Sequence, residues 1–361
     1  MAQRRFSQRG VGALLVAATL VTVGLTGSIA ATSAAAVSSY GFNKPIAIVR
    51  NGTNLWIPNY AGNSVTETNL NGKWVRTVAG AGFGFSAPDA IVSYLGDVFV
   101  VNHGGSVTEL NATTGALVRI IKGASYDFRA PTAAVVQGGN VWVVDTVGNA
   151  VTEFSATTGA LVRTLTNTNP QYGFHTPDAI AVAGANLWVT SKTGGSTTNA
   201  NAGAVTEFTA ATGAFVRRVS AAADGLQKPS GIAFDGARLW ISDAATSSVT
   251  ELSSVGALLR IVTNSSLDDN YGFDAPTVVV FATPYVYVVS PPGASPMVTQ
   301  ITTATAEGDW YECNTNTPDP DFDNPTGLVA TAGHVWVVSP GDNTLTELSI
   351  ALGGNRINVF T

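Results

Sequence analysis

The sequence has 361 residues, of which 45% are hydrophobic and 12% charged, with 38 glycines. Together with abundant Val and Thr, this composition excludes a coiled coil or a disordered chain and favours β-strands joined by tight turns. The formal net charge is −6, and all 24 acidic residues lie beyond residue 36, which excludes nucleic acids and anionic lipid surfaces as expected partners.

Residues 1–36 have the features of a cleaved bacterial signal peptide. Arg4 and Arg5 give a basic start, residues 11–25 are apolar, and Ala-x-Ala-like cleavage sites end near Ala30 or Ala36. Two glycines interrupt the apolar stretch and no basic stop-transfer flank follows, which favours removal over a permanent anchor. We therefore expect a secreted protein without stable membrane insertion after cleavage, and general secretion is favoured over twin-arginine export.

One sequence unit recurs seven times, and each copy begins near a proline. These prolines lie 43 to 52 residues apart: Pro45, Pro88, Pro131, Pro177, Pro229, Pro276 and Pro325. In unit 3, four short Val-rich runs begin at Ala133, Val141, Val151 and Leu161, separated by Gly, Asn and Thr turns. The pattern predicts an all-β, seven-bladed β-propeller of four-stranded antiparallel blades over residues 40–361, which we expect to be a monomer.

An aromatic residue repeats in the second strand of every unit: Trp56, Phe99, Trp142, Trp188, Trp240, Tyr287 and Trp336. Such a row could stack on sugars or bases, but its strict repetition favours packing between neighbouring blades. The aromatic pairs in the loops that connect the units, such as Tyr172-Gly-Phe174, also repeat, and we expect them to belong to the scaffold.

A Glu in the third strand and an Arg in the fourth recur nine or ten residues apart in six units. The pairs are Glu67–Arg76, Glu109–Arg119, Glu153–Arg163, Glu207–Arg217, Glu251–Arg260 and Glu347–Arg356. In units 2, 3 and 4 the spacing of ten goes with a three-residue turn, and in units 1 and 5 the spacing of nine goes with a two-residue turn. Each of these pairs is therefore predicted to face across one hairpin, whereas in unit 7 the spacing is nine but the sequence does not define the turn. If exposed, each pair contributes well under about 1 kcal/mol. Unit 6 has Gln300 and no matching Arg.

The unit that begins Pro229-Ser-Gly-Ile-Ala-Phe-Asp-Gly and continues Leu239-Trp-Ile-Ser-Asp resembles the NHL repeat. The wider pattern over about residues 40 to 361 resembles YncE-like propellers, within the virginiamycin B lyase-like superfamily. The resemblance implies the fold but not one function, since such propellers serve as binding platforms, scaffolds and lyases.

The resemblance to lyases with this fold implies a metal ion that is held in a central cavity by histidines or acidic residues. This sequence has three histidines, at different places in the repeat. The loops of His103 and His175 should open on one face of a propeller, and the turn of His334 on the other. The three cannot bind one metal, and no catalytic residue is predicted.

The loops that connect the units and the ends of the second strands should converge at the mouth of the central channel, the default ligand site of such a fold. The candidate ligand-binding residues there are Asn59, Asn102, His103, Asp145, Lys192 and Asp243. In NHL-like repeats an aspartate at a strand end often caps a turn, so a scaffold role stays open.

Residues Asp319, Asp321 and Asp323 replace the usual aromatic loop before unit 7. Carboxylates at alternate positions resemble the first half of an EF-hand-like calcium loop, so Ca²⁺ is a candidate cofactor. The glycine and the final Glu of such a loop are missing, and a solvated acidic loop is the alternative.

Three functions are therefore open. The first is a noncatalytic secreted module that presents its channel mouth to an extracellular protein, polymer or small ligand. The second is a metal-assisted lyase or hydrolase of the virginiamycin B lyase-like type. The third is a purely structural repeat protein.

Overall fold

The structure, a computed structural model, describes residues 40–194, 202–220, 224–264, 272–291, 297–304, 308–312, 323–331, 333–349 and 356–361. The signal peptide predicted for residues 1–36 lies outside them and stays a prediction. Over the described residues there is no α-helix, and no helix there is long and apolar enough to cross a membrane. One short 3-10 helix spans Ala81–Phe83.

The described strands form seven antiparallel sheets of four, which confirms the all-β, seven-bladed propeller. Blade 1 contains β1 (Val49–Asn51), β2 (Asn54–Asn59), β3 (Ser64–Asn69) and β4 (Trp74–Ala79), and blade 2 contains β5 (Pro88–Tyr94), β6 (Asp97–Asn102), β7 (Ser106–Asn111) and β8 (Leu117–Ile121). Blade 3 contains β9 (Pro131–Gln137), β10 (Asn140–Asp145), β11 (Ala150–Ser155) and β12 (Leu161–Thr166), and blade 4 contains β13 (Pro177–Ala183), β14 (Asn186–Ser191), β15 (Ala204–Thr209) and β16 (Phe215–Val219). Blade 5 contains β17 (Pro229–Phe234), β18 (Arg238–Asp243), β19 (Ser248–Ser253) and β20 (Leu258–Thr263). Blade 6 contains β21 (Val278–Ala282), β22 (Tyr285–Ser290), β23 (Met297–Thr302) and β24 (Gly308–Glu312). Blade 7 contains β25 (Gly327–Thr331), β26 (His334–Ser339), β27 (Thr344–Ser349) and β28 (Arg356–Phe360).

The second strand of each blade is buried over five of its six residues, because the neighbouring blades cover both of its faces. Its repeated aromatic residue fills the space between blades. Trp142, for example, packs with Ile180, Leu187 and Val189 of blade 4. All seven aromatic residues of this row are at most 1% exposed, which confirms the prediction that they are packing residues.

The Glu–Arg pairs of blades 1 to 5 face each other across the outer hairpin, as predicted. Glu109 lies opposite Arg119 in the register, and the Arg119 Nε atom is 2.9 Å from Glu109 Oε2. The condition of exposure is not met on the acidic side, since Glu109 and Glu153 are each 1% exposed. Asn140 Nδ2 also donates a hydrogen bond of 2.6 Å to Glu153, which makes the carboxylate part of the buried scaffold.

Blade 7 departs from the predicted pairing. Glu347 lies opposite Asn358 and not opposite Arg356, because the connection between β27 and β28 is longer than a two-residue turn. His334 Nδ1 contacts the Glu347 carboxylate instead, at 3.0 Å. In blade 6, Gln300 lies opposite Asp309, so no Glu–Arg pair occupies this position.

The ring closes without exchanging a strand, because blades 1 and 7 are each built from consecutive strands. Trp336 of blade 7 instead shares a core cluster with Leu55 and Ile57 of blade 1. The Thr326 hydroxyl donates to the Ile46 carbonyl at 2.9 Å, which joins the two innermost segments. Packing and hydrogen bonds between the first and last blades therefore seal the propeller.

Candidate functional site

The first strands of the blades surround a central channel that contains a cavity of about 480 Å³. Its wall is mostly small and apolar, with Ala47, Ala90 and Ala179 among its residues. Two carboxylates, of Asp89 and Asp178, also line it. A cavity of this size and apolar lining with a few polar groups is the usual form of a small-molecule site.

The two aspartates occupy one position of the repeat, directly after the proline that begins the first strand. Across the seven units this position holds Ile46, Asp89, Thr132, Asp178, Ser230, Thr277 and Thr326. Because first strands line the channel, the side chain at this position determines the chemistry of its mouth. Blades 2 and 4 therefore give an acidic side to a mouth that is otherwise neutral at this position.

The Asp89 side chain is 17% exposed, and its Oδ2 atom lies 3.5 Å from Nδ1 of His103. That contact is longer than a good hydrogen bond. Burial raises the pKa of Asp89 to about 6; His103 opposes the shift and Asp178 adds to it. The ring of Tyr60 lies 6.3 Å from the ring of His103, the residue that contacts the Asp89 carboxylate.

The Asp178 carboxylate has a closer partner. Its Oδ1 atom lies 2.8 Å from Nζ of Lys192, and the Asp178 side chain is 23% exposed. Burial raises the pKa of Asp178, and the Lys192 ammonium opposes that shift. The mouth thus contains one well-paired carboxylate and one that is poorly paired.

Of the six residues predicted for the channel mouth, only His103 and Lys192 contact side chains that line the cavity. The other four, Asn59, Asn102, Asp145 and Asp243, are fully buried and are not among the cavity-lining residues.

These four side chains hold the connecting loops. Asp145 accepts hydrogen bonds from the amides of Arg129, Ala130 and Gly148, at 2.5 to 3.1 Å. Asp243 likewise accepts hydrogen bonds from four backbone amides. The scaffold alternative for these strand ends therefore has direct support, and a ligand in the cavity would not meet them.

Sequence reasoning missed Asp89 and Asp178, although a signal was present. Their position is one residue after the proline at the start of each unit, and across the seven units it holds acidic, hydroxylated or apolar residues. Attention to the variable ends of the second strands led to the adjacent residues His103 and Lys192, but not to their partners.

The predicted metal sites have no support from the described part of the chain. Within it, no group of three or more His, Cys, Asp or Glu residues is placed to hold a metal ion. His103 contacts Asp89, His175 is exposed, and His334 contacts Glu347. For the calcium hypothesis, Asp319 and Asp321 lie outside the described residues and Asp323 is exposed, so that hypothesis stays a prediction.

The sequence matches no protein-family model and no curated protein. Solved structures are similar in fold. Virginiamycin B lyase from Staphylococcus aureus has a TM-score of 0.64 at 16% identity, covering 83% of this chain and 93% of that one. A streptogramin B lyase has a TM-score of 0.66 at 14% identity, covering 84% and 93%.

Hydrazine synthase from Kuenenia stuttgartiensis has a TM-score of 0.67 at 15% identity, covering 90% of this chain and 99% of that one. Identities this low show the fold alone. This chain is therefore a seven-bladed β-propeller whose structural neighbours include virginiamycin B and streptogramin B lyases, consistent with its NHL-like and YncE-like repeat.

Proposed function

We propose that this chain is a secreted, noncatalytic binding module that takes a small ligand into the mouth of its channel. The observation that carries the proposal is the pair Asp89 and Asp178. They break the repeat, they line a cavity of about 480 Å³, and each has a cation-forming side chain beside it. Buried carboxylates cost stability, so their presence at a cavity wall is a reason to expect a ligand.

Metal-assisted catalysis has less support than binding, because the described residues near the two aspartates offer no set of three metal ligands. The aromatic rows and the Glu–Arg pairs do not bear on ligand choice, since they recur as packing elements around the ring. Ligand specificity should therefore lie at the acidic side of the channel mouth.

A ligand screen on the full chain tests the proposal. Cationic, neutral and anionic small molecules are compared by ligand-observed NMR, with wild type, Asp89→Asn, Asp178→Asn and the control Asp127→Asn. Asp127 is an exposed carboxylate in a connecting loop, paired with Arg129. We expect hits that weaken with Asp178→Asn and not with Asp127→Asn. A screen without hits, or hits indifferent to substitution of either channel aspartate, would contradict the proposal.

The second candidate is a metal-assisted lyase, which the fold of the two streptogramin-type lyases suggests. The same preparation, with a panel of divalent cations, is incubated with virginiamycin B and followed by mass spectrometry. We expect the compound to stay intact. Turnover that requires Asp89 or Asp178 would replace the binding proposal with an enzymatic one.

A further inference from the structure

The buried carboxylates of the scaffold are well supplied with hydrogen-bond donors. Glu153 binds both Asn140 and Arg163, and Asp145 and Asp243 each accept backbone amides. Asp89 differs from them. Among the described residues its carboxylate has one side-chain contact, the 3.5 Å approach of His103. A carboxylate can accept about four hydrogen bonds, so Asp89 has unused capacity.

The Asp89 side chain, which has this unused hydrogen-bonding capacity, lies at the wall of the cavity. Asp89 lines it together with Asp178, which lies near enough to raise the pKa of Asp89. Lys192 neutralises Asp178 at 2.8 Å. Among the described residues the remaining carboxylate, Asp89, therefore has no Lys or Arg within ion-pair distance and only the His103 imidazole beside it, at 3.5 Å. A ligand with a single positive charge and N–H donors supplies what is missing.

Lys192 shows which kind of cation fits this mouth. Its Nζ atom is an alkylammonium bound to a channel carboxylate at 2.8 Å. A second ammonium beside Asp89 would lie next to His103, whose ring is 6.3 Å from that of Tyr60, and aromatic faces attract organic cations. The apolar wall, including Ala90 and Ile46, would cover the carbon part of such a ligand.

We propose that the ligand of the channel mouth is an organic monocation, a primary ammonium on an apolar group, bound by Asp89 with Asp178 at its side. The inference rests on the proposed binding function and names its ligand class. A divalent metal ion is disfavoured, because the Lys192 ammonium already lies at Asp178 and repels a second cation of higher charge.

The pH dependence follows from the groups that face Asp89. These are His103 of the same blade, Asp178 and Lys192 of blade 4, and the neutral Thr132 of blade 3 between them. Protonation of Asp89, whose pKa is about 6, removes the negative charge that the ammonium needs. Affinity should therefore be full above that pH and fall as the pH decreases through it.

The test uses the full chain and phenethylammonium as probe, with 2-phenylethanol as the neutral molecule of the same shape. Isothermal titration calorimetry at pH 8 should show binding of the ammonium at least about tenfold tighter than of the alcohol. Asp89→Asn should weaken the ammonium about tenfold or more, and Asp127→Asn should not change it. At pH 5 the wild-type affinity should approach that of Asp89→Asn.

The thermal melting curve shows whether Asp89→Asn remains folded. Because burial disfavours the Asp89 carboxylate, the variant should melt at or above the wild-type temperature. Equal affinity for the ammonium and the alcohol, or ammonium binding that Asp89→Asn leaves unchanged, would overturn the cation inference. The proposed binding module would still stand in that case if the alcohol binds at the channel mouth. No ammonium binding at millimolar concentration would also overturn it, whereas a failure of every ligand class in the screen would overturn the binding module itself.

Discussion

Asp97 is a single-residue departure from the scaffold pattern. In blades 1, 3 and 4 an asparagine begins the second strand and its amide donates to the buried Glu of the third strand, as Asn140 does to Glu153. Blade 2 has Asp97 at this position, which has no amide N–H to donate. Burial raises the pKa of Glu109 to about 7, Arg119 opposes the shift, and the Asp97 carboxylate adds to it.

This pKa predicts a pH-dependent stability. The unfolded chain loses the Glu109 proton near the ordinary pKa, whereas the folded chain keeps it until about pH 7. The free energy of unfolding should therefore decrease as the pH rises between these values. Asp97→Asn should remove the repulsion, add a donor, and raise the free energy of unfolding at pH 8 by about 1 kcal/mol.

Urea denaturation between pH 4 and pH 8 measures the effect of Asp97→Asn. The reciprocal change Asn140→Asp, which places the same acidic pair in blade 3, should lower stability at pH 8 by a similar amount. If both variants shift the urea midpoint in the same direction, the electrostatic explanation is wrong.

At the scale of the elements, the Glu–Arg pair joins blades as well as strands. Arg163 Nη2 donates to the Ala211 carbonyl in the hairpin of blade 4, at 3.1 Å. Gly213 in that hairpin has a φ of +69°, and a Cβ atom there would lie 3.2 Å from Arg163 Cδ. The repeated Thr-Gly turn is thus required both by its backbone conformation and by the arginine that lies against it.

Arg163→Ala should therefore be more destabilising than loss of a surface ion pair. It leaves the buried Glu153 with Asn140 as its remaining side-chain partner and removes a bond between blades, for an expected cost of about 2 kcal/mol. The control is Arg129→Ala, because Arg129 and Asp127 are 60% and 50% exposed and their pair should contribute less than about 0.5 kcal/mol. Equal losses of unfolding free energy would show that burial of the Glu adds nothing.

For the whole molecule, the fold could be predicted because each blade repeats the same local pattern. Seven prolines, seven second-strand aromatics and the hairpin spacing all depend on the same four-strand geometry. The structure confirms the strands and the buried aromatics in all seven blades and the Glu–Arg spacing in blades 1 to 5. The pairing of Glu347 with Arg356 failed because residue spacing alone did not reveal the longer connection before β28.

The candidate site could be predicted only in part. His103 and Lys192 were found because they follow second strands at the channel mouth, but Asp89 and Asp178 were not. Their importance comes from the channel, which brings together side chains of blades 2 and 4 that are far apart in the sequence. Burial of Asn59 and Asp145 likewise depends on the connecting loops that cover them.

We propose that the ligand binds where the sevenfold repeat fails, at Asp89 and Asp178. A crystal structure of the full chain with phenethylammonium would locate the ligand. We expect the ammonium nitrogen to lie within hydrogen-bond distance of the Asp89 carboxylate and the phenyl ring to lie against the apolar channel wall. An ammonium bound on the outer strands or at the opposite face, with the channel mouth unchanged, would contradict it.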